Sequence, residues 1–294
     1  MTRKAGVMLL AMCLLLIVMV PTARGQASER PAGLSEQTAK TVPPFKIFDN
    51  LYYVGLDFVC SYVIRTNGGL ILVDTLFGQY SDYTAKAMQQ LGLDPKDVKY
   101  IVITHGHDDH YGGLKTMKAL TGARVMMADA DWTLMENTIK RAGDAEVAQK
   151  LIPRDLVVKD GDTLKLGDTT INLYVTPGHT PGVTSLAFPV YESGKEYKVF
   201  MWAGPTLQSN EVPMIEAFLA TTKRLQTLAR ADVWLHSHPW SVSFFDKYDR
   251  LKARKPGDPN PYVNPGEIPV FLQQRLDDTE KRLAEAKAKG ASSK

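Results

Sequence analysis

The chain has 294 residues, 44% of them apolar and 23% charged, enough for one large domain with a buried core. Its 35 basic residues exceed its 32 acidic ones, and Arg3, Lys4 and Arg24 account for that whole excess within residues 1–25. The remainder is charge-balanced, with no basic block interleaved with aromatics, which excludes nucleic acid as a partner.

Thr2-Arg3-Lys4 is a short basic head, Val7 to Val20 is apolar, and Ala23-Arg24-Gly25 offers small residues around a cut before Gln26. This is the make-up of a cleaved secretory signal peptide over residues 1–25, its apolar run falling short of the ~20 residues that span a bilayer. The expectation is a periplasmic or secreted protein without a stable membrane anchor. Residues 26–44 are polar and contain proline, and read as a loosely held lead-in. Cys60 lies in the strand-like run Phe58-Val59-Cys60-Ser61-Tyr62-Val63-Ile64 and is expected as a small buried hydrophobe.

Asn67-Gly68-Gly69 between Tyr62-Val63-Ile64 and Leu70-Ile71-Leu72-Val73 predicts a hairpin, and residues 82–92 a helix. Tyr100-Ile101-Val102-Ile103 is a buried-type strand ending at Thr104-His105-Gly106-His107-Asp108-Asp109-His110, so this cluster is expected in the loop leaving the strand, before a helix over 114–120. Further strands are predicted at Val157-Val158, Thr163 to Leu166 and Thr170 to Val175, the last entering Thr176-Pro177-Gly178-His179-Thr180-Pro181-Gly182. Strands near 184–189 and 197–202, a helix from Pro213 to Ala229 and the strand Val233-Trp234-Leu235 lead to His236. A proline-rich stretch, Lys255 to Pro269, precedes a charged helix whose Glu280, Arg282, Glu285 and Lys287 are expected on a solvated face.

All six histidines thus fall in three clusters, each after an apolar strand: His105, His107 and His110; His179; His236 and His238. Neutral imidazole is the commonest protein ligand for zinc-like metals, and a neighbouring carboxylate adds an oxygen ligand. His105 and His107 can turn toward one ion, with His179 completing three nitrogen ligands. Asp109, His110 and a histidine of the third cluster supply a second set. Three protein ligands with an open position mark catalytic zinc, whereas structural sites close with four, usually thiolates. Asp108 is expected in a structural or loop-capping role.

His105-x-His107-x-Asp109-His110 followed by Thr176-Pro177-Gly178-His179-Thr180-Pro181-Gly182 resembles the signature of the metallo-β-lactamase superfamily. Asp74, after Leu70 to Val73, resembles that superfamily's strand-end aspartate. Asn50-Leu51-Tyr52-Tyr53-Val54-Gly55, the full histidine string and the late His238-Pro239 resemble the subclass B3 β-lactamases. Phe200-Met201-Trp202-Ala203-Gly204-Pro205-Thr206 lacks the aspartate that bridges both metals in most other branches, as B3 enzymes do.

The resemblance implies an α/β fold, a four-layer αβ/βα sandwich with two mixed sheets packed between helices, over residues 45–254, then a proline-rich loop and C-terminal helix over 255–294. It implies two Zn2+ per chain, the first on His105, His107 and His179, the second on Asp109, His110 and His238, with Asp109 also orienting the nucleophile. His238 is preferred to His236 because the following proline biases it toward an extended conformation and matches the B3 pattern. His236 and Asp74 are expected behind the ligands. B3 enzymes commonly grip the substrate carboxylate with serines after the missing aspartate; here Thr206 and Ser209 are the candidates. The implied activity is opening of a small-molecule β-lactam by a metal-bound hydroxide, an antibiotic-resistance function. The altered carboxylate-binding segment favours an alternative, the same machinery acting on another ester or amide such as a lactone. A zinc-binding protein without turnover is the remaining alternative.

Overall fold

The structure is a computed structural model that describes residue 30 and residues 33–292; the expected signal peptide lies outside the described residues. The first sheet has seven strands in chain order: β1 (Phe45–Phe48), β2 (Leu51–Tyr53), β3 (Tyr62–Thr66), β4 (Gly69–Val73), β5 (Val98–Val102), β6 (Arg124–Ala128) and β7 (Leu156–Val158). The second has five: β8 (Thr163–Leu166), β9 (Thr169–Val175), β10 (Thr184–Glu192), β11 (Lys195–Trp202) and β12 (Val233–His236), ordered β12-β11-β10-β9-β8. The helices are α1 (Ser81–Gln90), α2 (Asp108–Tyr111), α3 (Leu114–Thr121), α4 (Asp129–Ala142), α5 (Asp144–Lys150), α6 (Val212–Leu228), α7 (Phe244–Ala253) and α8 (Glu267–Ser292). Both sheets are mixed, as expected. β1 to β4 pair antiparallel and β4 to β7 parallel, while β11 and β12 form the parallel pair of the second sheet.

The two-residue periodicity of a strand sorts its side chains between the layers. Ile71 and Val73 of β4 join Tyr62, Ile64 and Val102 in the core shared with Leu173, Leu186 and Phe200 of the second sheet. Leu70 and Leu72 point the other way, onto Met88, Leu114, Met117 and Trp132 of the flanking helices. With both faces covered, β4 and β5 read as continuous apolar runs. Ile101 is wholly buried, and truncating it to alanine would cost about 2–5 kcal/mol. The β3–β4 hairpin closes through Asn67-Gly68, with Thr66 opposite Gly69 and Tyr62 opposite Val73.

Three findings extend or correct the expected organisation. Residues 124–150, for which no element is predicted, form β6, α4 and α5; the inward stripe of α4 is Asp131, Trp132, Met135 and Ile139, and its buried carboxylate interrupts the apolar pattern. The lead-in is docked, not loose, from residue 39 onward. The Tyr80 hydroxyl donates to Ala39 O at 2.7 Å, Lys40 N donates to Asp57 at 2.7 Å, and Thr41 bridges Leu56. The tail shares the main core: Asn260 donates to Ile47 O at 2.9 Å, Tyr262 is buried, and Ile268, Phe271, Leu272 and Thr279 make the inner stripe of α8. The charged residues of α8 accordingly find partners across the interface with α6: Lys223 with Glu280, and Glu216 with Lys287. Among the described residues, no helix is long and apolar enough to cross a membrane.

Candidate metal centre

The loops that carry the histidines leave the C-terminal ends of β5, β9 and β12, which meet at one edge of the sandwich. Parallel pairing of β4 with β5 sets Val73 opposite Val102, so Asp74 and Thr104 emerge side by side. Parallel pairing of β11 with β12 sets Trp202 opposite His236, bringing the Gly204 and His238 segments level. Thr184 N donates to Thr104 O at 2.7 Å and Cys60 N to Ser237 O at 2.8 Å, tying the two sheets together beside the site.

His105, His107 and His179 form one triad and Asp109, His110 and His238 another; within each, the potential ligand atoms all lie within 4.8 Å of one another. The first cluster is not wholly loop. His107 is the N-cap of the single turn α2, which carries Asp109 and His110. Asp109 Oδ2 lies 3.3 Å from His110 Nε2 and 3.5 Å from His238 Nε2. The triads adjoin, with the His105 and His110 ring centroids 3.9 Å apart.

Hydrogen bonds on the far side of each ring determine which nitrogen is free. His179 Nδ1 donates to Thr206 O at 2.7 Å, His238 Nδ1 to Phe58 O at 2.8 Å and His110 Nδ1 to Asp74 Oδ2 at 2.8 Å. The Thr104 hydroxyl donates to Asp74 Oδ2 at 2.8 Å and therefore accepts from His105 Nδ1 at 3.1 Å. In all four rings Nδ1 is thus taken up on the far side and Nε2 is turned toward the site, the orientation a metal ligand needs. The Nε2 atom of His105 is buried with no hydrogen-bond partner. An orphaned buried acceptor is costly, and a cation would satisfy it, so the residues fit a metal.

Electrostatics set His110 apart from the other rings. Burial pushes His105 well below the ordinary imidazole range, His179 down to about 3 and His238 down to about 4, so these rings are neutral at pH 7. Burial lowers His107 as well, against the pull of Asp109. At His110 burial also opposes the charge, but Asp109 and Asp74 override it and raise the ring to about 10. Burial acts against the Asp109 carboxylate, yet His110 and His238 hold it below the usual carboxylate range.

Asp131, not singled out by its sequence context, ties the two loops of the first triad. Its Oδ2 accepts from Gly106 N at 3.0 Å and from the Thr180 hydroxyl at 2.5 Å, and its Oδ1 accepts from Gly182 N at 2.8 Å. The approach is close enough to require glycine. A Cβ on Gly106 would lie 2.8 Å from Asp131 O, and one on Gly182 2.9 Å from Asp131 N. Gly204 is equally confined, a Cβ there falling 2.8 Å from His179 Cβ and 2.8 Å from Val183 Cγ2, so the position beside His179 admits no side chain.

The other expected residues are placed as follows. His236 belongs to neither triad. It is buried among Trp234 and Phe271, and its Nδ1 meets Ser241 Oγ at 2.6 Å; Ser241 in turn donates to the His238 carbonyl, so His236 touches the His238 backbone chain at one remove and no ligand ring. Asp74 stands behind His110, its Oδ2 2.8 Å from Nδ1. Asp108 pairs with Lys150 at 2.6 Å, a structural role, and Cys60 is buried. Thr206 Oγ1 lies 3.2 Å from His179 Nδ1, and Ser209 Oγ accepts from Glu211 N at 3.0 Å.

A family model described as the metallo-beta-lactamase superfamily matches residues 54–192. Among solved structures, the chain is similar to BJP-1, a subclass B3 metallo-β-lactamase of Bradyrhizobium japonicum, at 32% identity and a TM-score of 0.74, covering 84% of this chain and 96% of that one. FEZ-1 from Legionella gormanii is 27% identical with a TM-score of 0.75 (84% and 98% covered), and GOB-18 from Elizabethkingia meningoseptica 28% identical with 0.70 (90% and 99%). A hydroxyacylglutathione hydrolase of Cereibacter sphaeroides is 33% identical over 104 residues, 35% of this chain, and the chain spans only 33% of that curated relative. Fold, family model and structural likeness over 84% of the chain agree: the chain belongs to the metallo-β-lactamase superfamily, with subclass B3 metallo-β-lactamases as its structural neighbours.

Proposed function

We propose that this chain is an exported hydrolase with two zinc ions that opens the β-lactam ring amide. The observation that carries the reading is the pairing of a three-histidine triad with an Asp-His-His triad. Likeness to BJP-1 over 84% of this chain supports it. His105, His107 and His179 would hold one ion and Asp109, His110 and His238 the other. Zinc bound there would supply Lewis-acid polarisation of the scissile carbonyl and a water acidified toward neutrality.

The chain's own groups do the positioning. Asp109, held ionised by its imidazole neighbours, accepts a hydrogen bond from the attacking water and orients it. Asp74, Thr206 O and Phe58 O fix the rings in the ligating tautomer. Thr206 and Ser209 supply hydroxyls for the substrate carboxylate. Each hydroxyl oxygen accepts a hydrogen bond within the protein and keeps its own proton to donate outward.

A second reading, hydrolysis of another ester, thioester or amide, is favoured by the hydroxyacylglutathione hydrolase likeness. The deciding experiment compares kcat/KM for a chromogenic cephalosporin, a lactone and a hydroxyacylglutathione thioester on zinc-loaded residues 26–294, with and without chelator. The first reading predicts chelator-sensitive turnover highest on the cephalosporin. Absence of β-lactam turnover at full zinc occupancy would sink it. Export is tested separately by the N-terminus of the protein recovered from its native cell, with Gln26 as the expected first residue.

A further inference from the structure

The segment 205–210 has two jobs in the proposed hydrolase: its Thr206 carbonyl fixes His179, and it carries Thr206 and Ser209, the candidate hydroxyls for the substrate carboxylate. It has no regular secondary structure, so something outside it must hold its shape. The grip comes from the far end of the chain. Arg282 of α8 donates from Nη1 to Leu207 O at 2.9 Å and from Nη2 to Asn210 Oδ1 at 2.7 Å. The guanidinium fork thus spans two points of the segment, directly after the residue bound to His179.

The placement follows from the helix itself. Ile268, Phe271, Leu272 and Thr279 are the buried positions of α8, and half-buried Arg282 continues that stripe one turn on. That buried stripe docks α8, while Lys287 with Glu216 at 2.7 Å and Lys223 with Glu280 at 3.1 Å are exposed pairs across the α6 interface that add little. Arg282 is therefore carried on a rigid support, and its fork is pre-organised for two acceptors in a way a lysine is not.

We infer that Arg282 is a positioning residue: through Leu207 and Asn210 it sets the segment that orients His179 and receives substrate. This rests on the hydrolase reading above. The chain of contacts runs from the α8 guanidinium to Leu207 O, across one peptide unit to Thr206 O, and on to His179 Nδ1. Loss of the fork frees the segment while α8 stays docked.

The test compares wild type, Arg282→Ala, Arg282→Lys and Lys287→Ala by amide hydrogen exchange over 205–210 and by zinc affinity in chelator competition. Arg282→Ala is expected to speed exchange in the segment and to weaken zinc by about tenfold, the lower end for removing a group behind a ligand. Cephalosporin KM should rise more than kcat falls. Arg282→Lys, reaching one acceptor at a time, should fall between it and wild type, and Lys287→Ala should match wild type. Unchanged exchange and zinc affinity in Arg282→Ala would overturn the inference, as would equal losses in Lys287→Ala, which would assign the effect to helix docking. If wild type takes up no zinc, the hydrolase reading fails, while the exchange comparison still decides whether Arg282 anchors the segment.

Discussion

Oδ2 of Asp74 lies 2.8 Å from Nδ1 of His110, and both side chains are fully buried. The same carboxylate accepts from Thr104 N at 2.7 Å and from the Thr104 hydroxyl, whose oxygen in turn accepts from His105 Nδ1. One strand-end aspartate thus orients a ring in each triad, directly in one and through Thr104 in the other. Asp74 does this from a left-handed backbone (φ 61°), a region that aspartate and asparagine tolerate better than most residues.

Asp74→Asn is the informative substitution because it keeps the shape and the backbone preference. An amide cannot accept from three donors with both of its ends, so the His110 and Thr104 contacts cannot all survive. Zinc affinity at the second triad is expected to fall about 10–100-fold, with a smaller loss at the first. Chelator competition with a chromophoric zinc indicator measures both; equal affinity in mutant and wild type would remove Asp74 from the account.

Asp131→Asn should act on the first triad. The carboxylate accepts three hydrogen bonds, and an amide must turn its NH2 toward at least one of the donors on Gly106 or Gly182. The expected loss is about 1–3 kcal/mol of stability, the cost of a buried donor left unpaired. Zinc binding by His105, His107 and His179 should weaken with it. Urea unfolding of the metal-free protein separates the two effects, since the stability loss should be present without zinc.

The buried pair Lys247 and Glu267 joins α7 to the start of α8 and gives a pH-dependent prediction. Burial raises Glu267 above its ordinary 4.5 and lowers Lys247 below its ordinary 10.5. Lys247→Met removes the compensating charge, so Glu267 rises further. The folded state then binds more protons than the unfolded one between pH 4.5 and the raised value, and stability falls as pH rises through that window. The deficit against wild type should be small at pH 4 and about 2 kcal/mol at pH 7, less than for a fully enclosed pair because Glu267 keeps 19% exposure. Denaturant midpoints at the two pH values check it; a deficit independent of pH would contradict the assignment.

Much of the site was legible because its chemistry is concentrated in rare residues at strand ends. Six histidines in three clusters, each after an apolar run, point to two ligand sets, and the family resemblance together with the proline after His238 prefers it to His236; the structure groups His238 with Asp109 and His110. What stayed hidden depends on contacts between distant segments. Asp131 looks like any acid in the first turn of a helix until Gly106 and Gly182 close on it. Arg282 reads as a solvated charge until α8 is seen against α6 with segment 205–210 beyond its fork. Strand β6 escaped because its methionine-rich run lacks the β-branched signature, and α4 because a buried carboxylate interrupts its apolar stripe.

The most direct test of the account counts zinc. Metal-free protein titrated with Zn2+ and analysed for bound metal should take up two ions per chain, as should His236→Ala, while His238→Ala should retain one. Two ions in His238→Ala with a loss in His236→Ala, or a wild type that saturates at one, would contradict the two triads.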